Sequence, residues 1–167
     1  IAIMAQTPLD NFRKTLEGRV IYDDPQMKLN GKVSVIAMTE FSRLGSYDVA
    51  QRIVICGCDP EAQKQVICQG AGLLVVVWAE EIRPDVIATA QAHHCPIIIS
   101  GHGAMNTTRY IYFAPSASKI MKTELVKFTS TELAEDVSRK MMQTRYHVYP
   151  VTDQEGHLTG YVSRYHI

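Results

Sequence analysis

Long apolar runs are missing from this sequence of 167 residues. The longest, residues 71–79, falls well short of the roughly 18 residues that a membrane-spanning helix needs. The N-terminus also lacks a basic flank leading into a signal-peptide core. Both absences point to a cytoplasmic chain with no membrane partner. Net charge is missing too. Seventeen basic residues balance seventeen acidic ones, so the chain has no broad footprint for DNA or RNA, and any anion site must be local. Cysteine is sparse: Cys56, Cys58, Cys68 and Cys95. Cys56-x-Cys58 with His93-His94-Cys95 supplies soft metal ligands. However, Cys56 closes one strand at its C-terminal edge, while Cys95 precedes a parallel strand at its N-terminal edge. That separation predicts reduced thiols and no metal in this segment. A phosphate-cradling Gly-x-x-x-x-Gly-Lys is absent, and Gly101-His102-Gly103 does not replace it. What remains, 46% apolar and 20% charged, is ordinary globular composition for one domain or two small ones. A chain that opens on Ile1 and stops at Ile167, where a helix should begin, is expected to be part of something longer.

Taken in order, the residues predict alternating helices and strands. Thr7-Pro8-Leu9-Asp10 reads as a capping box with proline in the first turn, and Leu9, Phe12 and Leu16 mark one helical face before Gly18. Strands follow at 19–22 and 32–38, separated by a polar turn at 23–31, with a short helical segment at 40–44. Residues 52–56 are a nearly continuous apolar strand, expected to be central in a sheet covered on both faces. Asp59-Pro60-Glu61 caps a helix that runs to Gln69 and stops at Gly70. Strand 73–78, a helix from Pro84 to His93, strand 96–100, a loop at 101–106 and a helix at 107–113 complete the pattern. Helices of about ten residues between strands imply a mostly parallel sheet.

The last third carries a second pattern. Residues 125–128 form a short strand, and 131–144 an amphipathic helix with Leu133, Ala134, Val137, Met141 and Met142 on one side. Residues 148–151 and 157–162 alternate as strands around a turn at 153–156, and Ser163 stands where a helix N-cap belongs. With Tyr149-Pro150-Val151-x-Asp153 and Gly160-x-x-Ser163, this order resembles the second half of a CBS module, and Pro115 to Met121 resembles its lead-in. The fold class is therefore α/β: a mostly parallel sheet flanked by helices, followed by a single βαββ CBS motif. The boundary is expected near Ala114-Pro115, giving units 1–114 and 115–167.

The first unit resembles the DRTGG family through Leu29-x-Gly31-Lys32-Val33 leading into Ala37-Met38, through Ile53-Val54-Ile55-Cys56-Gly57 before a helix with Gln63, and through the loop from His102 to Thr108 with Arg109. It departs where Cys58-Asp59 replaces the name-giving Asp-Arg and Val77-Trp78-Ala79 replaces Thr-Gly-Gly. Such glycines permit close approach of another backbone, which Trp78 does not. A DRTGG unit feeding into Met142-x-Thr144-Arg145-Tyr146-x-x-Tyr149-Pro150-Val151 and Gly160-x-x-Ser163-Arg164-Tyr165-His166 resembles the regulatory region of bacterial family II inorganic pyrophosphatases. There a DRTGG domain lies between two CBS motifs. The resemblance implies that residues 1–7 are the linker from a first CBS motif. It further implies adenine nucleotides as partners, AMP or ADP inhibiting and diadenosine polyphosphates activating, and a homodimer. It also implies manganese or cobalt in catalytic domains outside this chain, which itself holds no cofactor and no catalytic residue.

Within that resemblance, Ser163 offers a hydroxyl and free backbone donors for phosphate or ribose. Many CBS motifs place an Asp three residues later; here it is His166, which beside Arg164 favours phosphate. Arg145 matches positions that face phosphates, and Tyr146 or Tyr149 is expected to stack on adenine. Against this stand solvated surface charges for Arg145 and Arg164, and plain packing for the tyrosines. Two other readings are a CBS/DRTGG ligand sensor of a transcriptional regulator or transporter, and an α/β enzyme using His102 with Ser100 and Asn106. The bland reading of that loop is that Asn106 or Thr107 caps a helix and His102 is solvated.

Overall fold

The computed structural model describes residues 2–36 and 47–167. The expected helical segment at 40–44 and the end of strand 32–38, with Ala37-Met38, lie outside the described residues. The chain divides into two compact units, Ile1–Ile120 and Met121–Ile167.

The first unit holds a five-stranded sheet built from β1 (Arg19–Tyr22), β2 (Val33–Ile36), β3 (Ile53–Cys56), β4 (Leu73–Val76) and β5 (Ile97–Ile99), in the order β1-β5-β4-β3-β2. All neighbours are parallel except β1, which pairs antiparallel with β5. The strand expected to be central, β3, is interior, but β4 occupies the middle. The residues of β3, β4 and β5 are all buried. Because side chains alternate between faces, these strands feed two cores. Val54, Cys56, Leu74, Val76, Ile97 and Ile99 meet α3 (Pro60–Cys68) and α4 (Pro84–Ala92) through Ala62, Val66, Ile67, Val86 and Ala90. Ile53, Ile55, Leu73, Val75 and Ile98 meet the opposite layer, α1 (Ala2–Ala5) and α2 (Leu9–Thr15), through Met4, Leu9, Phe12 and Leu16. The stretch expected to be a linker is thus helical, with Met4 in the core. Three layers result, as a sheet covered on both faces requires.

Caps follow the sequence in one case and not in another. Asp59 caps α3 by accepting from the Glu61 N–H at 3.0 Å, with Pro60 in the first turn, and Gly70 stops the helix at φ 90°. The capping box at Thr7 does not form. The Thr7 hydroxyl donates to the Ile3 carbonyl at 3.1 Å, closing α1, and Asp10 pairs with Arg13 and Lys14. After β5 the helix begins earlier than expected, as α5 (Ala104–Tyr110), followed by a 3-10 turn at Ile111–Phe113. Thr107 does not cap it: its buried hydroxyl turns back to the His102 carbonyl and to Ser100. Then α6 (Ala117–Ile120) falls within the first unit, where Lys119 Nζ donates to Gln6 Oε1 at 3.0 Å.

The second unit is β6 (Phe128–Thr129), α7 (Ala134–Gln143), β7 (Val148–Thr152) and β8 (Leu158–Ser163), the expected βαββ order. Its sheet runs β6-β7-β8, with β6 parallel and β8 antiparallel to β7. Gly156, at φ 90°, turns the hairpin, and Asp153 Oδ1 accepts from the N–H groups of Glu155 and His157. The core joins Phe128 and Tyr149 to Val137 and Met141 of α7. The helix face is narrower than expected, because Leu133 and Met142 are exposed.

Candidate nucleotide site

The end of α7 and the end of β8 meet in the second unit, and Arg164 joins them. Its guanidinium donates to the carbonyls of Met141, at 3.0 Å, and Thr144. The Met141 carbonyl also accepts from the Thr144 N–H at 3.3 Å, and both carbonyls lie at the helix C-terminus, where a cation is favoured by hydrogen bonding and by the helix dipole. Arg164 is exposed, and in the unliganded chain its guanidinium clamps the end of α7. The residue next to Thr144 is Arg145, which is exposed and has no hydrogen bond or ion pair to any described residue. A hollow of about 200 Å³ borders Arg164, lined also by Ser138, Met141, Met142 and Ile167.

The two tyrosines divide sharply. Tyr149 is fully buried at 0% exposure, its ring 5.3 Å from that of Phe128, and its hydroxyl shares a hydrogen bond with Thr144. Burial raises the phenol pKa, but the hydrogen bonds from Thr144 and Arg164 outweigh it and leave the value lowered. No face of that ring is open, so Tyr149 cannot stack on a base here. Tyr146 is at the surface, set edge-on to Tyr149 at 5.9 Å, with Lys122 Nζ 5.1 Å from its ring centre. Nothing local in the sequence links Lys122 to a ring 24 positions away.

Ser163 is buried and ends β8, and the chain turns at once: the His166 N–H donates to the Ser163 carbonyl at 3.0 Å. The Ser163 N–H is not free as expected. It donates to His166 Nδ1 at 3.1 Å. Ser163, Arg164 and His166 thus share one corner, which the Arg164 clamp fixes against the residue preceding Arg145.

The His102 loop is built differently from a catalytic site. Ser100 Oγ sits 2.7 Å from Thr107 Oγ1 and also accepts from the His102 N–H at 3.1 Å. His102 is half-buried, edge-on to Tyr110 at 5.0 Å, with Glu17 at 4.0 Å. Ser100 and Thr107 therefore spend their hydroxyls within the loop, and among the described residues neither is hydrogen-bonded to the His102 imidazole. Of the four cysteines, Cys56 and Cys95 are buried, and burial pushes both thiols up to about 12. Sheet register places Cys56 level with Val76 and Ile99, whereas Cys95 precedes Ile97 at the opposite end. Among the described residues, Asp153, Glu155 and His157 do gather their donor atoms within 4.8 Å on the β7-β8 turn, a grouping the sequence reading passed over. No helix of the described residues is long and apolar enough to cross a membrane.

The DRTGG domain family matches residues 11–113 and the CBS domain family residues 117–167. A cobalt-dependent inorganic pyrophosphatase of Clostridium perfringens is 30% identical over 169 residues, covering 100% of this chain and 31% of its own length. A probable manganese-dependent inorganic pyrophosphatase of Thermotoga maritima is 22% identical over 163 residues, covering 97% of this chain and 30% of its own. The chain therefore spans about a third of the length of these relatives. Among solved structures, the CBS and DRTGG domains of the regulatory region of Clostridium perfringens pyrophosphatase, complexed with the activator diadenosine tetraphosphate, superpose with a TM-score of 0.82. That likeness comes at 29% identity and covers 97% of this chain and 72% of the other.

Proposed function

Because the chain belongs to the DRTGG domain family and carries a CBS match directly after it, we propose that it is the adenine-nucleotide-sensing regulatory region of a cytoplasmic inorganic pyrophosphatase. Residues 1–114 are its DRTGG part and 115–167 the second CBS motif of a pair. The observation that carries this reading is the likeness, along nearly the whole chain, to a pyrophosphatase regulatory region solved with its activator. In the parent enzyme, manganese or cobalt serves catalytic domains elsewhere, and this region biases them.

In this reading Arg145 is the phosphate contact. Its guanidinium is exposed just after α7 and has no partner among the described residues, and its planar fork suits a phosphate. Tyr146 stacks on adenine, with Lys122 at the same ring. Ser163 supplies hydroxyl and N–H, and Arg164 positions the corner. AMP or ADP inhibits and diadenosine polyphosphates activate, by favouring different states of a homodimer. Support for self-association comes from exposed Val148, Leu158 and Tyr161 beside one hollow on the hairpin, and from Trp78, 73% exposed in the first unit. The side of α7 formed by Val137 and Met141 does not contribute, being covered by Phe128 and Tyr149.

Calorimetric titration with AMP, diadenosine tetraphosphate and GTP tests the reading. Binding of the adenine ligands in preference to GTP is expected, and equal binding of GTP overturns the adenine assignment.

A further inference from the structure

Ser163 and His166 form a reciprocal pair where β8 turns. The Ser163 N–H donates to His166 Nδ1 at 3.1 Å, the Ser163 hydroxyl lies 3.4 Å from the same nitrogen, and the Tyr165 N–H reaches Ser163 Oγ at 3.4 Å. This is the spacing of a capping box, in which the residue three positions on reaches back to the N-cap N–H. The usual residue there is Glu or Gln, which accepts through oxygen. Here the acceptor is an imidazole nitrogen, which accepts only while unprotonated. A donor at 3.1 Å assigns the tautomer: Nδ1 bare and the proton on Nε2.

Little else holds the ring. His166 is exposed, and its other neighbour is the Tyr161 ring, tilted at 5.9 Å. Arg164 turns its guanidinium away to the carbonyls of α7. Ser163 and Tyr161 are the groups in contact with the ring, and none of the ion pairs among the described residues brings a carboxylate to it.

We propose that His166 is a proton-gated cap on the Ser163 N–H, making this corner selective for phosphate-bearing ligands and more receptive to them as pH falls. The inference rests on the nucleotide reading above. A neutral imidazole occupies the donor, so a phosphate oxygen has to displace it. Protonation sets N–H against N–H, so Nδ1 gives up the Ser163 N–H and turns its proton to the Ser163 hydroxyl oxygen or to solvent, and the Ser163 donor opens beside a new positive charge. The freed donor serves any acceptor, and the new charge makes a phosphate anion the favoured one over a ribose hydroxyl.

The test has two arms on the whole chain. In the absence of ligand, the Ser163 amide resonance and the His166 ring resonances are followed together across a pH series. The Ser163 amide is expected to move in step with the His166 ring, and to stay still in His166→Asn, whose amide oxygen accepts at every pH. AMP affinity is then measured at pH 6 and pH 8 in both chains, and comparison of the two removes the ligand's own phosphate ionisation. Wild type should gain about threefold more than His166→Asn on acidification, the size expected of one exposed charge pair. A Ser163 amide indifferent to the His166 titration, or equal gains in the two chains, overturns the proposal. Absence of AMP binding in both chains overturns the nucleotide reading and the gating with it. The Ser163 amide still distinguishes that outcome from a cap that never forms.

Discussion

The Arg164 guanidinium and the main-chain carbonyl of Met141 are hydrogen-bonded at 3.0 Å across 23 residues of sequence. This bond, with its companion to Thr144, ties the last strand of the second unit to the end of its helix. Arg164→Ala removes both of these bonds, leaving the Met141 carbonyl only the Thr144 N–H, and should cost about 1 kcal/mol of stability in urea unfolding. Arg164→Lys, which lacks the fork, should recover only part.

Tyr146 and Tyr149 should separate by phenotype. Tyr149→Phe loses the hydrogen bond to Thr144 and should destabilise by about 1 kcal/mol while leaving AMP affinity unchanged. Tyr146→Ala should weaken AMP binding by about 1–3 kcal/mol, the range of base–aromatic stacking, with little change in melting temperature. Calorimetry and thermal unfolding of both variants check the pair.

Backbone geometry in the first unit gives opposite expectations at two positions. A Cβ at Gly72 would overlap the Lys28 carbonyl oxygen and lie 2.8 Å from Leu29 Cδ2, so Gly72→Ala should destabilise by about 1–3 kcal/mol. Trp78 holds φ at 58°, where a side chain is unfavourable and glycine is not. Being largely exposed, it has little burial to lose, so Trp78→Gly should raise stability by up to about 1 kcal/mol. Urea unfolding of each variant reads both signs.

Asp24 links Tyr22 and His94, accepting from the Tyr22 hydroxyl and from the Gln26 N–H, with His94 Nδ1 at 3.0 Å. The Tyr22 bond, ahead of the Gln26 N–H, holds the Asp24 carboxyl below the usual carboxylate range. The same bond, with burial, pushes Tyr22 up to about 12. A lowered acid stabilises the fold above its unfolded pKa, about 3.9, and that contribution fades as pH falls through the folded value. A raised phenol stabilises below its unfolded pKa, about 10, and that contribution fades as pH rises through the folded value. Tyr22→Phe should therefore flatten the alkaline limb of the stability profile, and Asp24→Asn the acid limb, in melting temperatures taken from pH 3 to 11.

The sheet was legible because β3, β4 and β5 are short apolar runs between strong punctuation, Asp59-Pro60 before α3 and Gly70 after it. Local chemistry suffices there. It failed where a side chain answered to something distant in sequence or to a competing local partner. Thr7 turned to Ile3 rather than to its own helix, and Thr107 turned inward to Ser100 rather than capping α5. The site was half legible. Arg145, Tyr146 and Ser163 stand at or beside the expected corner. Arg164, by contrast, was drawn to carbonyls that no periodicity reveals, and the period-two alternation of β7 buried Tyr149 beneath its sheet.

The claim that this chain senses adenine nucleotides through Arg145 is tested most directly by measuring AMP affinity in wild type and Arg145→Ala by calorimetry. Loss of a charge-assisted phosphate contact predicts a fall of about 1.5–3 kcal/mol, roughly ten- to hundredfold, with the melting temperature of the free chain unchanged. An Arg145→Ala chain that binds AMP with wild-type affinity would contradict the account.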